Sequence, residues 1–179
     1  MITTNIPKLY HYYPCTVCVI GAMLDDKINF MSAAWNGGLS FEPPLFGVSV
    51  ASERFTYNLI KGSGEFTCNF MPIEEVELVH GCGRLSGSDV DKVKKLSIPL
   101  EESELIGCPT IASAYAAYEC KVIEHHPFGD HTLFVGEVIA VHVKEGIMNE
   151  NGILDTDKVL PAMYMGSKTY IAANASSRK

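Results

Sequence analysis

The chain is expected to fold as an antiparallel, mostly β structure closed into a small barrel, with a few short peripheral helices. Three observations predict it. Apolar runs of strand length recur, rich in β-branched and aromatic residues and separated by turn residues. Helical signals are sparse and brief. The regular strand–helix alternation of a doubly wound parallel sheet is missing.

Taken in order, the strands are read at Cys15–Met23, Ile28–Trp35, Leu45–Ala51, Glu65–Phe70, Tyr115–Ile123 and Leu133–Val143. Leu24-Asp-Asp-Lys27 reads as the hairpin turn joining the first two. The segment Ser32–Ser40, with Gly37-Gly38, reads as a small-residue loop, and Pro43-Pro44 forces an extended entry to the next strand. A helix is expected over Ser52–Lys61, capped by Ser52 and ended at Gly62. Pro72, Glu74 and Glu75 mark the start of a second helix over Ile73–His80. Ser88–Lys95 reads as a third, with Ser88 as cap and acids ahead of bases. Asp155–Leu160 is read as one further turn.

With 179 residues, 47% hydrophobic and 20% charged, the sequence suits one folded domain over 1–179, without repeat, linker or low-complexity tract. The net charge of −7 argues against nucleic acid as a partner. It also makes each cation placed near an anionic ligand more telling. No basic, apolar leader opens the chain and no apolar run approaches the roughly 18 residues of a membrane helix. A cytoplasmic protein is therefore expected, in which the sequon Asn174-Ala-Ser176 is inert.

The six cysteines lack the density of a disulfide framework. Cys15-Thr-Val-Cys18 has metal or redox spacing, but in a strand its thiols point to opposite faces. They are read as ordinary buried cysteines. His125, His126 and His131 lack a fourth ligand at usual spacing, so no metal site is expected and His131 is read as lining a pocket. No nucleophile–base motif, Walker loop or metalloprotease motif is present, so no catalytic residue is assigned. Gly81-Cys-Gly-Arg-Leu-Ser-Gly87 has the wrong spacing and context for a dinucleotide loop. If the protein is an enzyme, a bound cofactor performs the chemistry.

The segment Met31–Thr56 is the most informative. A helix start exposes unpaired amides and partial positive charge, the ordinary setting for a phosphate. Ser52 and Thr56 can donate to it, and Arg54 adds a charge-assisted partner. The plainer reading has Ser52 capping its helix and Arg54 in solvent. Trp35, the only tryptophan, can wall a flat ring or belong to the core.

Six segments in order carry a resemblance: Ser32-Ala-Ala-Trp35, Pro43-Pro-Leu-Phe-Gly-Val-Ser-Val50, Ser52-Glu-Arg-Phe-Thr-Tyr57, Gly64-Glu-Phe-Thr-Cys-Asn69, Cys82 through Lys92, and Gly129 through Val138. Over about residues 10–172 the chain resembles the flavin reductase-like proteins with an FMN-binding split barrel, in particular the flavoredoxin branch. The resemblance implies a Greek-key split barrel, a homodimer, and FMN near the subunit interface. It implies Ser32, Ala33, Ala34, Trp35 and Asn36 along the isoalloxazine, with Asn29 as a further cofactor-binding residue. Ser49, Ser52, Arg54 and Thr56 would hold the ribityl and phosphate, with Val50 and Phe55 also among the cofactor-binding positions. Lys92, His131 and Tyr164 match further flavin-contacting positions. Three functions stay open: an FMN oxidoreductase fed by NADH or NADPH, an FMN electron carrier served by a protein donor such as ferredoxin, and a barrel that binds a ligand without chemistry.

Overall fold

The computed structural model describes residues 12–173; the sequon at Asn174–Ser176 lies outside them. The strands are β1 (Cys15–Thr16), β2 (Cys18–Leu24), β3 (Lys27–Ala33), β4 (Asn36–Phe41) and β5 (Pro44–Ala51). Helix α1 (Phe55–Ser63) leads to β6 (Glu65–Phe70), and a 3₁₀ turn (Ile73–Glu75) runs into α2 (Val76–Arg84). After α3 (Lys92–Lys95) come β7 (Leu100–Glu101), β8 (Thr110–Ile111), β9 (Ala116–Phe128), β10 (His131–Val143), β11 (Ala162–Gly166) and β12 (Thr169–Ala172).

Seven strands form one antiparallel sheet in the order β3-β2-β6-β9-β10-β5-β4. Strand β5 lies beside β10, not beside β6 that follows it, because α1 carries the chain across; this is a Greek-key connection. The pair β7-β8 and the three strands β1-β11-β12 form small separate sheets.

Two apolar clusters explain the sequence pattern. Ile20, Val48, Phe66 and Phe134 fill the interior. Val19, Phe30, Met71 and Val79 pack the other side of the sheet under α2. Strand β2 feeds both clusters, which is why its run is apolar without alternation. Strand β6 is buried on both faces too, and its polar face is satisfied internally. Asn69 donates to the Val19 carbonyl (2.9 Å) and accepts from the Ile111 amide (2.8 Å), tying β8 to the sheet.

The hairpin at Asp25-Asp26 takes positive φ at both residues, as a two-residue turn requires. The single strand expected over Cys15–Met23 is interrupted at Val17. Cys15 thereby joins β1 while Cys18 enters the interior cluster, and all six cysteines are free.

Other expectations need correction. Residues 36–41 are a strand, not a loop: β4 pairs with β5, and the bend falls at Ala34–Trp35. Helix α1 starts at Phe55 because the Arg54 amide first closes a turn on Ala51 (3.0 Å). Ser52 is exposed and is not the cap. Gly62 does not end α1; a Cβ there would meet Leu24 at 2.5 Å, so glycine permits close packing on β2. The helix stops at Gly64, at φ 72°. Helix α2 runs on to Arg84, while α3 is a single turn capped by Asp91, whose carboxylate accepts from the Lys94 amide (3.1 Å). Asp155–Leu160 holds the single turn expected. Strand β9 runs past the expected end at Ile123 and takes in His125 and His126. His125 stacks on Phe134, while His126 bonds to Glu124. Among the described residues, no helix is long and apolar enough to cross a membrane.

Candidate functional site

Strands β3 and β5 meet where the Ser49 amide donates to the Trp35 carbonyl (2.9 Å), and α1 leaves β5 at the same level. His131, the first residue of β10, is in register with Ala51. These junctions leave a cavity of about 390 Å³, within the roughly 300–1,000 Å³ usual for small-molecule sites.

Thirteen of the fifteen residues singled out from the sequence line it: Asn29, Ser32, Ala33, Ala34, Trp35, Ser49, Val50, Arg54, Phe55, Thr56, Lys92, His131 and Tyr164. Asn36 and Ser52 do not. The Asn36 carboxamide is occupied by the carbonyls of Thr16 (3.1 Å) and Ala33 (2.9 Å). Ser52 sits exposed in the turn ahead of α1. The sequence reading missed Tyr13 and the whole wall Cys82–Gly87. The signal for that wall was its density of small residues. At Gly87 a Cβ would fall 2.3 Å from Asn29 Oδ1, so only glycine lets this loop close over the cavity.

One end of the cavity is aromatic. The Trp35 and His131 rings lie 4.6 Å apart, and the Tyr13 hydroxyl accepts from the indole of Trp35. The Asp130 carboxylate accepts from His131 Nδ1 (2.7 Å) and fixes that ring. Burial and the neighbouring Tyr12 push the Tyr13 phenol up to about 12, so it stays protonated. The Ser32 hydroxyl is tied to the Val79 carbonyl, leaving the residue's backbone to face a ligand.

The other end is cationic and rich in donors. Phe55 and Thr56 open α1, where first-turn amides lack intrahelical partners. Arg54 stands at the N-cap and pairs weakly with Glu53 (3.7 Å), both side chains being well exposed. Lys92, 2% exposed, donates to the carbonyls of Phe30 (2.7 Å) and Cys82 (2.8 Å). Burial lowers its ammonium to about 8, with Cys82 pulling the other way. No carboxylate among the described residues pairs with it. Asn29 donates to the Thr56 hydroxyl (2.7 Å), and its Oδ1 is buried without a partner. A buried cation with one N–H to spare and an orphaned carboxamide oxygen form a site that lacks a ligand's groups.

Comparison with known proteins gives the site its context. Residues 10–171 match the flavin reductase like domain. An FMN-binding protein from Thermus thermophilus, with bound 1-cyclohex-2-enone, is 38% identical at a TM-score of 0.89, covering 100% of this chain and 97% of its own. Flavoredoxin from Methanosarcina acetivorans is 29% identical at a TM-score of 0.88, covering 100% and 94%. An uncharacterised protein of Archaeoglobus fulgidus is 40% identical over 147 residues, 82% of this chain and 81% of its own. The cavity thus sits in the split-barrel fold shared with FMN-binding proteins, and the chain belongs to the flavin reductase-like family.

Proposed function

We propose that the cavity binds FMN and that the protein is an oxidoreductase passing electrons from NADH or NADPH through it to an acceptor. The observation that carries this reading is the cavity's polarity, aromatic at the Trp35–His131 end and cationic at Arg54 and Lys92. The residues fit the group on three counts: the unsatisfied Asn29 Oδ1, the Lys92 ammonium without a carboxylate, and the cradle at Gly87. FMN, when bound, supplies a ring that takes up a hydride or single electrons.

The chain's own residues have separable tasks. Arg54 and the first-turn amides of α1 hold the phosphate. Lys92 supplies a fixed, water-excluded positive charge. Trp35, Tyr13 and His131 wall the flat ring, with the small residues Ser32–Ala34 offering backbone at its rim. A homodimer fits the apolar residues left exposed on β4 and β9, Leu39, Phe41, Ile123 and Phe128.

The likeness to a flavoredoxin favours a second reading, a permanent FMN carrier reduced by a protein donor such as ferredoxin. The acidic net charge suits docking to a basic donor. One experiment separates the readings. The protein is saturated with FMN, made anaerobic and mixed with NADH or NADPH in a stopped-flow cell. Bleaching of the flavin within the mixing experiment establishes the reductase. Tight FMN that bleaches only with reduced ferredoxin establishes the carrier, and failure to take up FMN rules out both.

A further inference from the structure

A second cavity, of about 160 Å³, lies against the first, and the two share Ser32, Ala34, Gly83, Arg84 and Tyr164 as walls. Its own character comes from three basic side chains on separate turns: His80 and Arg84 on α2, and Lys168 in the β11–β12 hairpin. No carboxylate lines this cavity, in a chain of net charge −7. Neither the Arg84 nor the Lys168 side chain has a hydrogen bond or ion pair among the described residues. Tyr170 adds a half-buried phenol, pushed up to about 12 by burial and by Tyr164, Cys82 and Glu77, and so a donor at neutral pH.

Simple structural roles cover part of this set. Arg84 ends α2, where a cation complements the helix dipole. That does not account for Lys168. It sits at φ 68° in a tight turn, a conformation that asparagine or glycine adopts with less strain than lysine. The turn would form at least as well without the ammonium.

We infer that this second cavity is an anion subsite for the molecule that exchanges electrons with the cofactor, taking a compact carboxylate or phosphate group on Lys168, His80 and Arg84. This rests on the FMN reading of the first cavity, because the shared wall puts the anion beside whatever ring fills that cavity. Three of the five shared walls, Ser32, Ala34 and Gly83, are small residues, and a Cβ on Gly83 would already touch Ser32 at 3.4 Å. A substrate can therefore extend from one chamber into the other with its charged end held and its reactive end over the ring. The donors suit planar carboxylate and tetrahedral phosphate alike.

The test is calorimetric titration of FMN-saturated protein with benzoate, with neutral benzamide and with inorganic phosphate, in wild type, Lys168→Asn and His80→Ala. Support is saturable binding of benzoate or phosphate, with benzamide weaker. The anion's affinity should fall roughly five- to tenfold in Lys168→Asn, while FMN affinity and unfolding midpoint hold. Whichever anion binds more tightly names the source of the group. Equal binding of benzoate and benzamide, or anion affinities unmoved by both substitutions, overturns the subsite. So does a loss of FMN affinity matching that of Arg54→Ala, since the cations would then serve the cofactor. If the protein takes up no FMN, the failure belongs to the cofactor reading. Phosphate titrated into ligand-free protein then decides the subsite by its dependence on Lys168.

Discussion

Two buried charges, Glu119 and Lys92, are treated oppositely by the same fold. Glu119 lies in β9 and is fully buried. Its carboxylate accepts from the amides of Glu104 (2.7 Å), Leu105 (2.7 Å) and Ile106 (3.1 Å), and from His142 Nε2 (2.6 Å). Burial works against its ionised form, yet those amides and the imidazole hold its pKa below the ordinary carboxylate value. Lys92 has two carbonyl acceptors, no carboxylate and a pKa lowered to about 8 by burial. The first site is closed by the protein itself and anchors the 103–107 loop. The second is left without a counter-charge, and the proposed function gives that place to the anion of FMN. A buried charge thus marks a ligand site only where the chain leaves it incomplete.

The largest expected effect breaks the closed site. Glu119→Ala leaves three amides and an imidazole without their acceptor, and should cost about 3–5 kcal/mol in urea unfolding. FMN affinity of the folded fraction should stay within twofold. A loss under 1 kcal/mol would make Glu119 dispensable and remove the contrast.

Lys92→Met tests the open site and should move binding rather than folding. FMN affinity should fall by about 2 kcal/mol, roughly thirtyfold, while ligand-free stability shifts by less than about 1 kcal/mol. The pH dependences should separate the two sites as well. Glu119 has a depressed pKa, so its stabilisation is present above the unfolded value near 4.5 and is lost as pH falls through the folded value. Lys92 also has a depressed pKa, but of a base. Between about 8 and 10.5 the unfolded chain binds more protons, so ligand-free stability should rise with pH across that window. FMN affinity should run the other way, weakening above about pH 8 as the ammonium is lost. Both trends should vanish in Lys92→Met, and a flat FMN profile in wild type would place the anion elsewhere.

Thr56→Val sharpens the comparison at the edge of the open site. The Asn29 carboxamide, already unpartnered at Oδ1, would lose its 2.7 Å acceptor as well. FMN binding should weaken by about 1–2 kcal/mol, with a similar loss of stability, measured by fluorescence titration and urea unfolding.

Legibility in the sequence followed the same division between closed and open structure. Strand β2 was readable because both faces are buried, giving a continuous apolar run, and β6 because Phe66, Cys68 and Phe70 alternate with Thr67 and Asn69. Strand β4 was not. Its Leu39 and Phe41 side chains are exposed, so the ladder to β5 holds it without a burial period, and Gly37-Gly38 reads as loop. The cationic end was legible because β5 hands to α1 through Arg54. The wall Cys82–Gly87 was not, because α2 runs through Gly81 and Gly83, which normally signal a break. There they permit contact with Leu96 and Ser32. Asn29 came only through the family resemblance, since a lone asparagine in a strand carries no pattern. Glu119 passed unnoticed because its partners are backbone amides from a loop 13 to 15 residues away.

Arg54→Ala should have the smallest effect, and its size distinguishes fixed charge from solvated charge. Arg54 is more than half exposed and shares its charge with Glu53 at 3.7 Å, whereas Lys92 is 2% exposed and bonded to two carbonyls. An exposed guanidinium gives part of its attraction back to water and loses more to salt. Arg54→Ala should therefore weaken FMN binding by about 1 kcal/mol at low ionic strength, and by less at 0.5 M salt. The Lys92→Met loss should persist there. Glu53→Gln should do the reverse, strengthening binding slightly by releasing Arg54. If salt erased the Lys92 effect as readily as the Arg54 effect, the two cations would be equally solvated and the open site would not be buried when occupied.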